Sequence, residues 1–363
     1  MAARESEGQR RRTEALRAAA GGLWAAPPAL ELSHRNDRLH RNAGGRETEV
    51  GVAVSLWLPG QRAARTATAD AAGAQALAAE QVARLRLSGE LREAAWQIAA
   101  AQAEQAQAES QAQGLGQLAD DVERRVKAGD LARADALAAR AEHLAATALQ
   151  AEMRLRLQAA RARWTLLTGL TSAPDLAATN DDAPSAAAPH PELQLASLST
   201  ELARQRVDLM RLSRRDAPEL TLGVRQDVPG RAEASRGSLV LGLRLPFGTD
   251  DRNRSLEAMA LSELDVAQTQ ELRLRERVDS DIAAARDALR LAMVQLDAET
   301  ARGRLLRERA MLLDKSFRAG ETPLPDLLRA LTAAAQADSA AARQTAALGL
   351  ARARLQQTLG RLP

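Results

Sequence analysis

Cysteine is absent from the 363 residues. That excludes disulfides, thiolate metal sites, a cysteine nucleophile and a lipid-modified cysteine within this sequence. Aromatic residues make up only 2%, with no tyrosine, so the chain cannot build a thick core of large rings. Lysine is nearly missing: Lys127 and Lys315 stand alone, and arginine supplies the rest of the 50 basic residues. These face 47 acids for a net charge of +3. The two signs are interspersed, which describes solvated helix faces and not a nucleic-acid footprint. No run of about 18 apolar residues occurs, so no transmembrane helix is expected. Met1 leads directly into Arg4-Glu5 and a charged helical pattern, so no signal peptide is expected at this start.

What the chain has in abundance is alanine at helical spacing, and a pattern that occurs twice. Val126-Lys127-Ala128-Gly129-Asp130 continues through Asp135 and Leu137, and Phe317-Arg318-Ala319-Gly320-Glu321 continues through Asp326 and Leu328. Gly129 to Gly320, Asp135 to Asp326 and Leu137 to Leu328 are each separated by 191 residues, and Gly169 to Gly360 keeps the same spacing. A repeat of this kind has to be found before any fold is assigned. It predicts two copies of one unit, 1–170 and 192–363, joined by a Pro/Ala/Asp/Asn-rich linker over 171–191. In each copy a glycine separates two long alanine-rich helical patterns, as at the tip of a helical hairpin.

Within each copy the order is the same. The first begins with a helix to about Gly22, then strands over about 28–34 and 48–58, the second with Val50, Val52, Val54, Leu56 and Leu58 alternating against Glu49, Gly51, Ala53, Ser55 and Trp57. Pro59-Gly60 stops it. A helix from Gln61 to about Lys127 follows, which at 1.5 Å per residue spans roughly 100 Å. After Gly129 a further helix runs to about Leu167. The second copy repeats this: a helix from about Glu192 to Arg215, strands over about 218–226 and 238–245, a helix from about Asp250 to Arg318, the Gly320 tip, and a last helix ending near Gly360. Pro59 and Pro246 are separated by 187 residues, so either the second long helix is about one turn longer or its lead-in segment is. The fold class is mostly α with some β.

Four strands with one apolar and one mixed face cannot close on themselves, and an open sheet with bare edges is sticky. Three protomers would give twelve strands, enough to close around an aqueous lumen. With the apolar face outward such a barrel belongs in an outer membrane; with the strands packed on helices the pairs would be soluble hairpins. Trp24, Trp57 and Phe247 are the aromatics at the strand ends. The long helices are too polar and too long for a bilayer, and would form a bundle with apolar stripes against neighbours.

The doubled order of helix, strand, loop, strand, long helix, glycine tip and helix resembles the outer-membrane efflux proteins, the TolC-like outer membrane factors. The residues that carry the resemblance are Gly129, Asp135 and Leu137 with Gly320, Asp326 and Leu328, together with Leu58-Pro59-Gly60 and Pro246-Phe247-Gly248. Arg62-Ala63-Ala64-Arg65 is similar to the branch that exports heavy metals. The resemblance implies a homotrimer: a twelve-stranded barrel in the outer-membrane lipid of a Gram-negative bacterium, with a helical tunnel in the periplasm. It implies no catalysis and no cofactor, and it implies two partners, a periplasmic adaptor and an inner-membrane efflux transporter. The family has a signal peptide and a short segment before its first helix, which predicts that the start of this sequence is set late or trimmed.

Carried over by motif, the periplasmic mouth and adaptor contact are Gly129, Asp130, Asp135, Gly320, Glu321 and Asp326. Rings of carboxylates at a narrow end favour cations and repel one another unless paired. Arg125, Lys127, Arg133 and Arg318 are the candidate partners of a gate. The competing expectation is that Asp130 and Glu321, just past a glycine at a helix start, are capping residues. His34, Asp37 and His40 could approach a metal but read as a solvated loop; His143 and His190 read as surface residues, and no metal site is expected. The alternative to a duct is a soluble periplasmic coiled-coil scaffold, an adaptor-like protein.

Overall fold

The structure is a computed structural model, which describes residues 2–39, 42–172, 176, 189–248 and 250–362. Most of the expected linker, 173–175 and 177–188, and His40 of the first loop lie outside the described residues.

The elements are α1 (Ala2–Gly21), β1 (Ala29–Asn36), β2 (Arg46–Ser55), α2 (Gln61–Ala128), α3 (Arg133–Thr168), α4 (Pro191–Leu212), β3 (Glu219–Val228), β4 (Arg236–Arg244), α5 (Asp250–Arg318) and α6 (Leu324–Thr358). The two long helices have 68 and 69 residues. The expected extra turn is therefore absent from α5. The shift lies partly in the lead-in, where Pro246 stands four residues before α5 and Pro59 two before α2. Expected strand limits move by up to three residues, and Leu56, Trp57 and Leu58 fall outside β2.

Contacts sort the chain into two units, Met1–Ala83 with Pro191–Glu276, and Arg84–His190 with Arg277–Pro363. Each draws on both halves of the sequence.

The first unit holds one antiparallel sheet in the order β1-β2-β3-β4. Alternation places Leu30, Leu32, Val50, Val52, Leu222, Val224, Leu239 and Leu241 on one face, and the register aligns them in rows: Leu30 opposite Val52, Val52 opposite Leu222, Leu222 opposite Leu241. Every one of these side chains is exposed. Each forgoes roughly 1.5–3 kcal/mol of burial. The other face is polar and small. There Gly51 lies opposite Gly223. A Cβ on Gly223 would stand 2.7 Å from the Val50 carbonyl oxygen and 3.0 Å from Gly51 Cα. Strands this close leave no room for a side chain, the condition of a sheet that curls toward its polar face.

Polar contacts tie the helices of this unit to one another and to the segments that flank the strands. Arg62 Nη2 donates to the Gly21 carbonyl at 2.8 Å, and Arg65 Nη1 to Ala25 at 3.4 Å. The Arg65 guanidinium lies 5.3 Å from the Trp57 ring centroid, while Trp57 Nε1 donates to the Gly22 carbonyl at 3.1 Å. Trp57 is thus an internal tie and not a free strand-end aromatic; Phe247 is the one left 94% exposed. Gln61 Nε2 donates to Ser213 Oγ at 3.0 Å, and Arg17 pairs with Asp70 at 2.8 Å.

The second unit is helical. Its core joins α2, α3, α5 and α6 through Leu115, Val122, Ala139, Phe317, Leu324 and Leu327. Smaller groups form where Ile98 meets Leu157 and Ala310 meets Ala330 and Ala334. Alanine permits the close helix contact that the composition predicts. At one point glycine is needed: a Cβ on Gly349 would stand 2.0 Å from the Trp96 ring.

Candidate functional site: the two hairpin tips

The two tips fold alike in backbone because each long helix ends on a glycine. Gly129 has φ 91° and Gly320 φ 80°, a left-handed conformation that costs a residue with Cβ about 1–2 kcal/mol. Gly129 N–H donates to the Val126 carbonyl at 3.1 Å and Asp130 N–H to Arg125 at 2.9 Å; Gly320 N–H donates to Phe317 and Glu321 N–H to Ser316, both at 3.0 Å. This is one Schellman closure made twice. Phe317, 3% exposed, lies in the same core cluster as Leu324 of α6 and Val122 of α2, so the tips share one apolar interior. The Arg125 guanidinium sits 5.2 Å from the Phe317 centroid, a cation–π contact.

The side chains of the tips diverge. Asp135 Oδ2 accepts the Ala132 N–H at 3.2 Å, while Asp135 N–H donates to the Ala132 carbonyl at 3.0 Å. The carboxylate thereby satisfies a free donor at the start of α3. The residue 191 positions after Ala132 is Pro323, which has no N–H to offer. Asp326 instead accepts from Arg329 Nη2, three residues on. Asp130 and Glu321 are exposed, and their side chains cap neither helix start. The expected capping role falls to Asp135, whose position at the third helical residue was the available signal.

Three of the four bases named as gate partners, all but Arg133, are engaged elsewhere within the chain. Arg125 pairs with Asp121 at 3.0 Å, Lys127 with Glu123 at 3.1 Å and Arg318 with Asp314 at 3.0 Å. None of the three pairs with a tip acid among the described residues. Beside the tips a groove of about 1210 Å³ opens among α2, α5 and α6, lined by Asp121, Arg125, Arg307, Asp314, Phe317 and Asp338. Arg307 and Asp338 close one side of it with an ion pair of 3.0 Å.

The remaining histidine and loop expectations resolve simply. His34 Nδ1 lies 2.9 Å from Thr48 Oγ1. Asp37 accepts the Ala43 N–H at 2.7 Å and the Gly44 N–H at 3.3 Å. Desolvation acts to raise its pKa, but the loop N–H groups from Gly45, Ala43 and Gly44 outweigh it and hold the carboxyl below its usual value. No group of three or more potential ligands forms a metal site among the described residues. His143 is not a plain surface residue: it is half-buried, with Nδ1 3.2 Å from the Ala112 carbonyl oxygen and its ring over Gly116.

No protein-family model matches the chain, and no curated protein sequence matches it. Solved structures do. CusC, whose structures follow folding and transmembrane channel formation, aligns with a TM-score of 0.78 at 16% identity, covering 99% of this chain and 88% of CusC. The outer membrane protein VceC of Vibrio cholerae aligns at 0.75 and 16% identity, over 99% of this chain and 92% of VceC. The outer membrane channel MtrE of Neisseria gonorrhoeae, in its open state, aligns at 0.72 and 18% identity, over 99% and 85%. The chain has the fold of the TolC-like outer-membrane efflux channels.

In this TolC-like fold the tips are the ends of the α2–α3 and α5–α6 hairpins. These alignments do not single out a heavy-metal branch. Arg62 and Arg65 of the Arg62-Ala63-Ala64-Arg65 motif fasten the start of α2 to the end of α1 and the segment after it.

Proposed function

We propose that this chain is one protomer of an outer-membrane exit duct, the passive channel of a tripartite efflux pump. The observation that carries the reading is the exposed apolar face of the sheet, backed by a polar face too tight at Gly223 for a side chain. Water does not tolerate such a face; lipid does. The duct reading is favoured over a soluble coiled-coil scaffold for that reason.

The open edges are β1 and β4. An even number of antiparallel strands makes them run in opposite directions, so β4 of one copy can pair with β1 of the next without breaking the alternation. Three copies give a closed twelve-stranded barrel, apolar outside and polar inside. Residues 1–170 and 192–363 are two copies of one ancestral unit, joined through 171–191. The helices of the second unit form the periplasmic tunnel, and the tips around Gly129, Asp130, Asp135, Gly320, Glu321 and Asp326 form its mouth. There they meet a periplasmic adaptor and, through it, an inner-membrane transporter. The duct carries out no reaction and holds no cofactor. Its site is the outer membrane of a Gram-negative bacterium.

The deciding test is the protein mass of detergent-extracted particles by size exclusion with light scattering. A mass of three protomers supports the duct. A monomer or dimer that stays soluble without detergent overturns it in favour of the scaffold.

A further inference from the structure

We propose that Arg244 on β4 of one copy and Glu31 on β1 of the next form an ion pair that sets the register between neighbouring copies, an inference that rests on the duct reading above.

Closing β4 on β1 leaves a choice that the faces of the sheet do not make. A slip of one residue would turn the leucines of β1 to the polar side, so it is excluded. A slip of two keeps every side chain on its face. The internal repeat makes the choice. Pro28, just before β1, has its counterpart in Pro218, just before β3 and 190 residues on. At that spacing Leu30 corresponds to Leu220. Leu30 pairs with Val52 and Leu220 with Leu243. Val52 therefore corresponds to Leu243, 191 residues on, which is the spacing of the two tips. The chain joins its own halves by pairing β2 with β3, and the closing seam joins the same two kinds of strand, β4 with β1. Within the chain Ala53 stands opposite Thr221. Their counterparts are Arg244 and Glu31.

The charges agree with this register. Arg244 is exposed, reaches Glu219 of its own β3 at 3.3 Å, and has the open edge on its other side. Glu31 is exposed on the opposite edge strand. It lies on the polar face, since its sequence neighbours Leu30 and Leu32 lie on the apolar one. A guanidinium between Glu219 and Glu31 of the next copy repeats what Arg225 does inside the sheet, where it holds Glu47 at 2.9 Å and Glu49 at 3.0 Å. The same register sets Leu243 opposite Leu32 of the next copy, so the apolar row runs on across the seam. A slip of two residues sets Arg244 opposite Ala29 or Ser33 and loses the pair. A slip of four in one sense sets it opposite Arg35, and like charges directly across neighbouring strands repel.

The absence of cysteine from the chain makes the register readable. With Glu31→Cys and Arg244→Cys in one chain, oxidation is expected to turn most of the protein into a covalent trimer on denaturing gels. Arg244→Cys combined with Ala29→Cys or Ser33→Cys is expected to give much less. Stronger cross-linking by either shifted pair, or none by the Glu31 and Arg244 pair in particles with the mass of three protomers, overturns the register and leaves the duct standing. The ion pair is read separately, by the temperature at which trimers part in detergent. Glu31→Gln and Arg244→Gln are each expected to lower it, and the double variant to lose less than the two losses combined. Additive losses overturn the ion pair. A wild type that is not a trimer overturns both the pair and the duct.

Discussion

Asp135 holds the backbone N–H of Ala132, while its counterpart Asp326 faces Pro323, which has none, and turns to Arg329. One substitution at an equivalent position gives two carboxylates of the same motif different work. The first closes a helix start. The second forms an exposed pair with a base on its own helix, an interaction of little stability that a partner can take over at little cost.

That difference predicts unequal effects of matched substitutions. Asp135→Ala removes a cap arm and is expected to cost about 0.5–1 kcal/mol. Asp326→Ala breaks only an exposed pair and is expected to cost less than about 0.5 kcal/mol. Denaturation of the helical signal for the two variants side by side checks the ranking. Equal losses would mean that both acids act through the same contact.

Phe317 is the largest side chain shared by the two tips. Phe317→Ala empties a site in contact with residues of both hairpins and leaves Arg125 without its ring. A buried Phe→Ala change costs about 3–5 kcal/mol, and here the loss is expected at both tips together. Proteolysis at residues 128–132 and 319–323 reads it directly: faster cleavage at the second tip alone would show that the shared core does not couple them.

Gly349 is a glycine in the middle of a helix, which by itself weakens the helix. Gly349→Ala would improve propensity in the absence of Trp96. With the ring 2.0 Å from where the methyl would stand, the substitution is expected to destabilise by about 1–3 kcal/mol through overpacking. The double variant Gly349→Ala with Trp96→Leu should recover part of that loss. No recovery would place the cost in the helix and not in the ring.

Glu257 supplies a pH dependence. The Arg214 hydrogen bond, reinforced by Arg211, lowers its pKa against the opposing effect of desolvation. A carboxyl held below its ordinary value in the folded state contributes stability above the unfolded pKa and loses it as pH falls through the folded one. The contact between α4 and α5 in the first unit is therefore expected to loosen in acid, below the ordinary carboxylate range. Glu257→Gln removes this component, so hydrogen exchange of 208–214 should lose its acid step. An unchanged step would assign it to another group.

The sequence made the architecture legible because its signals are long. Sixty residues of helical pattern without proline, a glycine at each helix end and strict alternation in the strands leave few alternatives, and the constant spacing between Gly129 and Gly320 ties the halves together. Side-chain use was less legible. That Asp135 caps a helix follows from its place three residues after Ala132, yet the contrasting fate of Asp326 depends on one proline. The partners of Arg125 and Arg318 lie one helical turn away, at Asp121 and Asp314, and a reading by motif passed over them in favour of the tip acids. His143 looked solitary because its partner is a backbone carbonyl, which no side-chain pattern announces.

The order of strands in the sheet also governs how the protein reaches its folded state. The central pair, β2 with β3, joins Ser55 to Glu219 and Arg46 to Val228, so its partners are separated by most of the first half of the chain. Until the later strand is available, the earlier hairpin has an unpaired edge along β2. Pairing over such distances is slow, and it leaves the waiting strand open to wrong partners. The seam that unites the two halves is thus the slow pairing of the sheet, and the time the first hairpin spends waiting for it is the period in which the chain most needs protection from its own copies.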